Sequence, residues 1–223
     1  MTAADDPSPL LAVLERGQAQ GLLGPAPVDF HVKHAQGYAA GFPAGVTLGV
    51  DIGSGGGLPG LVLAWTHPDM EWLLVDGRKK SIDFLTGAID ELGLAARVTA
   101  HQLRLEEFGR LDRQRGVHQL VVARSFGPPA VVAECAAPLL EPGGRLLVSE
   151  PPPASSAKSD SAQAGHAEPA LPRWPADGLA LLGMRPGHRW VDGGSTYQAI
   201  EQVSRCGDRY PRRVGIPTKR PLF

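Results

Sequence analysis

The chain has 223 residues, 43% of them hydrophobic, and a formal net charge of −1 at pH 7. That is enough apolar material for the core of one sizeable domain, and it excludes the uniformly basic composition of many nucleic-acid binders. Cys135 and Cys206 are the only cysteines and form no CxxC spacing, so neither a disulfide framework nor a metal site is expected. No apolar run approaches the roughly 20 residues that a bilayer crossing needs, and residues 1–6 lack the basic start of a secretory signal. A soluble, cytoplasmic protein with no membrane partner is expected.

Along the chain, residues 9–24 predict an amphipathic helix, with Leu10, Leu11, Val13, Leu14, Leu22 and Leu23 apolar and Gly24-Pro25 as its stop. A weaker helix follows over 29–40, so residues 1–44 form an N-terminal helical segment. Residues 46–52 predict a strand that runs into the turn Gly53-Ser54-Gly55-Gly56-Gly57-Leu58-Pro59-Gly60, after which an apolar helical stretch covers 61–65. A second strand, 72–76, ends in Asp76, and a helix over 79–92 carries Ile82, Leu85, Ile89 and Leu92 on one face before Gly93 closes it. Strands over 97–101 and 117–123, a helix over 130–140 and a fifth strand over 145–149 continue the alternation. Residues 150–175 turn to Pro, Ala and Ser and predict a flexible insertion, and strands at 188–191 and 196–203 make a closing antiparallel pair. The rhythm predicts an α/β, Rossmann-like fold over 45–205, with a mostly parallel seven-stranded sheet covered by helices on both faces. From Arg205 to Phe223 six basic residues face one acid, Asp208, a local charge of about +5 by that count, so 206–223 reads as a basic tail.

A strand followed by Gly53-x-Gly55-x-Gly57 lets backbone approach a ligand that side chains would block. Asp51 ends the strand before it. Asp76 ends the next strand and can accept from both ribose hydroxyls of an adenosine-bearing cofactor; its alternative role is a helix N-cap before Gly77. Leu58-Pro59-Gly60 stands where a dinucleotide fingerprint would open a helix onto a pyrophosphate, and no Walker lysine follows. With the Glu141-Pro142-Gly143-Gly144-Arg145-Leu146 turn before the fifth strand, these features favour S-adenosylmethionine and the class I methyltransferase form of the fold.

These segments resemble the bacterial small-subunit ribosomal RNA methyltransferase G family, also called glucose-inhibited division protein B. The resemblance rests on residues 50–60, on Leu73-Leu74-Val75-Asp76 with Arg78-Lys79-Lys80 and Phe84-Leu85, and on Leu103-Arg104-Leu105-Glu106-Glu107-Phe108. It continues through Val122-Ala123-Arg124-Ser125-Phe126, Leu139-Leu140-Glu141-Pro142-Gly143-Gly144-Arg145-Leu146 and the ending over 209–222, which is like that of Gram-positive and actinobacterial members. It implies methyl transfer from S-adenosylmethionine to N7 of a guanine in 16S ribosomal RNA, free or within the small ribosomal subunit. Carried over, it implies cofactor contacts at Gly53, Leu58, Leu105, Glu106 and Arg124, which join Asp51, Gly55 and Asp76 from the turn. Glu106 would lie near the adenine amino group or serve as an exposed helix-start carboxylate. Arg124 would hold the methionine carboxylate or a phosphate, or form a surface ion pair.

Guanine N7 attacks through a free lone pair, so no catalytic acid, base or nucleophile is required and none is assigned; alignment supplies the rate. Arg212, Arg213, Lys219 and Arg220 read as an RNA phosphate clamp or as a solvated terminus. His31 and His34, at i and i+3 with no other ligands nearby, read as surface residues and not as a metal pair. Cys135, Trp174 and Trp190 read as packing residues. Two departures from the family stand out: only Asp29-Phe30-His31 matches an upstream Glu-Arg-His-like stretch, and Val148-Ser149-Glu150 followed by three prolines replaces a Leu-Lys-Gly-like sequence. A paralogue with another substrate and a non-catalytic RNA-binding protein of the same fold are the alternatives.

Overall fold

The computed structural model describes residues 6–124, 126–151 and 172–223, so residues 152–171 of the expected insertion lie outside the described residues. Two helices, α1 (Ser8–Ala19) and α2 (Val28–Gln36), open the chain. The helix expected over 9–24 ends at Ala19 because Gly21 takes a left-handed φ of 72°. There Leu22 N–H donates to the Gly17 carbonyl and Gly21 N–H to that of Gln18, both at 2.9 Å, the bond pair that closes a helix on such a glycine. Leu22 and Leu23, counted above as part of the helix, instead leave it and lie against the glycine turn, where a Cβ on Gly56 would stand 2.5 Å from Leu23.

The remaining elements alternate: β1 (Leu48–Ile52), α3 (Gly60–Thr66), β2 (Glu71–Asp76), α4 (Lys79–Glu91), β3 (Val98–Gln102), α5 (Leu105–Phe108), β4 (His118–Ala123), α6 (Pro129–Ala136) and β5 (Leu140–Ser149). After α7 (Ala176–Ala180), the hairpin of β6 (Met184–Asp192) and β7 (Ser195–Gln202) follows, and α8 (Ile216–Lys219) lies near the end. The sheet order is β3-β2-β1-β4-β5-β7-β6, with β1 to β5 parallel and β7 antiparallel to both β5 and β6. Because β4 pairs with β1 on the side away from β2, the chain reverses direction across the sheet between β1 and β4. At such a switch point a crevice opens beyond the strands' carboxyl ends.

Alternation along β4 divides the interior into two layers. Leu120 and Val122 join Leu14, Tyr38, Leu63, Trp72 and Leu85 beneath α1 to α4, while Val121 and Ala123 join Ile52, Phe108, Val132 and Ile200 beneath α5 to α7. Both faces are therefore covered, which is why the inner strands read as nearly continuous apolar runs. Three boundaries differ from the sequence pattern. The helix expected over 130–140 stops at Ala136, just before Pro138, which has no N–H to continue it. β5 begins at Leu140, not 145, because Leu140 pairs with His118 and a register shift takes up the glycines. β6 is longer than 188–191 because an edge strand tolerates Pro186, with a register shift before Arg189.

Candidate cofactor and substrate site

The glycine turn is held at both ends by Asp51, next to last in β1, and Asp76, the last residue of β2. Asp51 Oδ2 accepts from Gly60 N–H at 2.9 Å, Asp76 Oδ2 accepts from Gly55 N–H at 2.9 Å, and Ser54 Oγ donates to the Asp51 carbonyl at 2.8 Å. Side chains are excluded for specific reasons: a Cβ on Gly53 would stand 2.5 Å from the Phe126 ring, and one on Gly60 2.6 Å from the Asp51 carboxylate. Leu58 packs its side chain among the core residues, so only its backbone borders the turn. Asp76 Oδ1 accepts from the backbone N–H of Arg78 at 2.8 Å and from its Nε at 3.2 Å. Asp76 thus fixes the turn and the chain that leads into α4, but the helix N-cap is Arg78 and carries no side-chain cap bond, so Asp76 does not cap the helix; the Arg78 guanidinium lies on its carboxylate.

Asp51 is fully buried, and burial pushes its carboxyl up to about 7 against the opposing bond from Gly60. Its Oδ1 has no hydrogen-bond partner among the described residues. Arg124, just beyond β4, donates from Nη2 to His31 Nδ1 at 2.9 Å, and the other His31 nitrogen lies 3.1 Å from the Gly24 carbonyl. With Nδ1 accepting, Nε2 is the donor to that carbonyl. Burial lowers the Arg124 pKa from the ordinary guanidinium value, while Tyr38, Tyr197 and Asp51 favour its charge. Its Nη1 is buried without a hydrogen-bond partner among the described residues. Buried polar atoms left unpaired cost on the order of 1–3 kcal/mol each, a cost that a ligand pairing them removes. An amino-acid zwitterion supplies the complements: an ammonium for Asp51 Oδ1 and a carboxylate for Arg124 Nη1. The donor set therefore fits the methionine end of S-adenosylmethionine.

The helix α2 is fixed over this end of the sheet. Tyr38 O–H donates to the Ala123 carbonyl at 2.9 Å and accepts from Ser149 N–H at 3.1 Å, bridging the ends of β4 and β5. Tyr197 O–H donates to the His34 carbonyl at 2.8 Å, and Trp190 Nε1 to that of Gly37 at 2.9 Å. His31 is consequently not a surface residue: it is buried with both ring nitrogens engaged, whereas His34 is half-buried at the cavity wall, its pKa lowered to about 4 by burial, Arg124 and His31. The helical spacing of His31, Ala35 and Tyr38 was the available signal, since all three face the core.

On the other side of the turn, Leu105 is buried and Glu106 Oε1 accepts from Gly215 N–H at 2.9 Å. The chain end is therefore laid across α5. Arg115 Nη1 donates to the Gly109 and Tyr210 carbonyls at 2.8 and 2.7 Å. Arg212 is not available as a phosphate clamp. Its Nε and Nη2 donate to the two oxygens of Glu134 at 2.8 and 2.6 Å, its backbone N–H adds a third bond at 2.8 Å, and the Glu134 side chain is 0% exposed. Arg213, Lys219 and Arg220 are exposed.

Beyond Arg124 lies a cavity of about 600 Å³ between α2, the ends of β4 and β5, and the hairpin. Phe30, Phe126, Glu150, Arg173 and Trp174 line it. Trp174 packs in the core as expected, which places part of the expected 150–175 insertion against the domain and not free of it. Glu150, recorded in the sequence only as a departure from the family, is the polar residue that the motif reading missed.

The rRNA small subunit methyltransferase G family model matches residues 15–152. The chain belongs to this family. A Thermotoga member named ribosomal RNA small subunit methyltransferase G is 34% identical over 171 residues, covering 77% of this chain and 70% of that one. A Deinococcus radiodurans protein of the same name is 34% identical over 172 residues, covering 77% and 64%. The match thus spans about two thirds of the family relatives' length. Among solved structures, the antibiotic-resistance methyltransferase Kmr superposes with a TM-score of 0.52 at 16% identity, covering 82% of this chain and 97% of that one. A mutant of MtNAS in complex with S-adenosylmethionine gives 0.54 at 12%, covering 88% and 73%. At these identities the likeness is one of fold, that of class I methyltransferases. S-adenosylmethionine is the family's cofactor, and the residues at Asp51 and Arg124 fit it.

Proposed function

We propose that the protein transfers a methyl group from S-adenosylmethionine to N7 of a guanine in 16S ribosomal RNA, acting in the cytoplasm on the RNA or the small subunit. The observation that carries the reading is the pair of buried, unpartnered atoms, Asp51 Oδ1 and Arg124 Nη1, at the switch point of a chain belonging to this family. The cofactor supplies an electrophilic methyl carbon. The protein's part is to orient and to exclude water. Asp51 takes the ammonium, Arg124 the carboxylate, and Asp76 the ribose once Arg78 swings out to the solvent it already borders. Gly53, Gly55 and the backbone of Leu58 line the route between them, and the backbone of Leu105 and Glu106 borders the adenine.

Nothing on the acceptor side needs to remove a proton, because N7 carries a lone pair in neutral guanine. The rate then depends on holding N7 in line with the methyl carbon, a contribution of the order of 10²-fold for each ångström of misplacement avoided. Arg213, Lys219 and Arg220 are assigned to RNA phosphates, each contributing a salt-dependent contact. Calorimetry with S-adenosylmethionine tests the cofactor assignment: Arg124→Ala is expected to weaken binding by about tenfold or more, in line with the loss of a charge-assisted hydrogen bond. Unchanged affinity would remove Arg124 from the site.

A further inference from the structure

The cavity beside Arg124 shares Arg124 and Phe126 with the cofactor end, so a ring held in it lies next to the reacting centre. Its apolar surface comes from the Phe30 and Phe126 rings and from Trp174, surfaces on which a base extruded from RNA stacks. Among the described residues that line it, its one carboxylate is Glu150. The backbone of Glu150 is fixed by N–H donation to the Thr196 carbonyl at 2.8 Å, where β5 leaves its pairing with β7. Its side chain is 7% exposed, with Oε1 accepting from Trp174 Nε1 at 2.5 Å and Oε2 in an ion pair with Arg173 Nε at 2.7 Å. A carboxylate carries about four acceptor sites, so each oxygen keeps one.

A carboxylate in a crevice that receives a polyanion repels phosphate, and its favourable partner there is a base edge rich in donors. Among the four bases only guanine presents two adjacent donors, N1–H and the 2-amino group, on its Watson–Crick edge. Adenine and cytosine each set one donor beside an acceptor, and uracil sets its donor between two. Arg173 brings a cationic donor to the same edge, matched to guanine O6. N7 lies on the opposite side of the purine, so a grip on N1–H and the 2-amino group leaves N7 free to meet a methyl group.

We propose that Glu150, seated by Trp174 and Arg173, reads the Watson–Crick edge of the guanine that the enzyme methylates and sets its base specificity. The inference rests on the guanine-N7 reading above and adds the residue that selects the base. It also gives a chemical role to the position where this chain replaces a Leu-Lys-Gly-like sequence with Val148-Ser149-Glu150.

The test uses the full-length protein and small subunits carrying guanosine or inosine, which lacks the 2-amino group, at the methylated position. The wild type is expected to lose about tenfold or more in kcat/KM on inosine. Glu150→Gln is expected to lose about 10- to 100-fold on guanosine, to show almost no further inosine penalty, and to bind S-adenosylmethionine as the wild type does. Trp174→Phe, which keeps the carboxylate, is expected to retain the inosine penalty. Equal wild-type rates on guanosine and inosine, full activity of Glu150→Gln, or a Glu150→Gln loss that leaves the inosine penalty intact would each overturn the proposal. If Glu150→Gln does not fold, Glu150→Asp, which draws the carboxylate back by one methylene, replaces it, with the same loss on guanosine and the same collapse of the inosine penalty expected, and an intact penalty overturning the proposal. Absence of wild-type transfer to guanosine despite cofactor binding would instead contradict the guanine-N7 reading on which it rests.

Discussion

Asp51 and Gly53 are adjacent in function, yet the sequence disclosed them unequally. Gly53 follows a strand and precedes two more glycines, and its need for a left-handed φ and for room against Phe126 follows from that pattern. Gly53→Ala is expected to reduce cofactor affinity by about tenfold or more, because a strained backbone of order 1–3 kcal/mol is added to a steric clash. Near-wild-type binding by calorimetry would show that the turn yields. For Asp51 the sequence shows an acid but not its burial. A folded pKa raised to about 7, above the unfolded carboxylate value, means that Asp51 costs nothing below about pH 4 and destabilises increasingly as pH rises towards 7. Asp51→Asn is therefore expected to gain stability relative to the wild type between pH 4 and 7, measured by urea denaturation across that range. The same carboxyl must lose its proton to hold an ammonium, so wild-type affinity for S-adenosylmethionine is expected to tighten through pH 7 and that of Asp51→Asn to stay flat.

At the scale of elements, the chain end does different work from what its charge announced. Arg212, Arg213, Lys219 and Arg220 read as an RNA clamp or a solvated terminus, but the distribution of charge along a chain does not tell which guanidinium meets a buried carboxylate. Glu134 sits inside an apolar helical pattern, and only the fold brings Arg212 to it. Arg212 therefore anchors the chain end, and Gly215 in turn holds Glu106. Arg212→Ala is expected to destabilise the protein by about 3 kcal/mol, since it strands a buried carboxylate, whereas Arg213→Ala is expected to change stability by less than about 0.5 kcal/mol. In RNA binding the order reverses: Arg213→Ala is expected to lower the salt dependence of affinity by about one unit of slope. Chemical denaturation and salt-titrated binding check the two halves. His31 was likewise legible as a helical residue and not as a partner of Arg124, because the contact joins residues 93 apart.

For the whole molecule, the strand-helix alternation and the closing hairpin could be read from apolar runs and glycines, since burial on both sheet faces leaves a continuous apolar signature, whereas the strand order that sets the switch between β1 and β4 could not. The short α5, α7 and α8 could not, because four or five residues carry too little periodicity. The proposed cofactor half of the site was visible because backbone geometry demands glycine. The proposed acceptor half was not, because its cavity is assembled from α2, β5 and the hairpin, and Glu150 lies in no motif. The two halves meet at Arg124. The most direct measurement supplies the purified protein with S-adenosylmethionine, labelled in its methyl group, and small subunits from a strain lacking the enzyme. One methyl per 16S ribosomal RNA is predicted, recovered as N7-methylguanine and abolished by Arg124→Ala. Label elsewhere than guanine N7, or none transferred by a protein that binds the cofactor, would contradict the account.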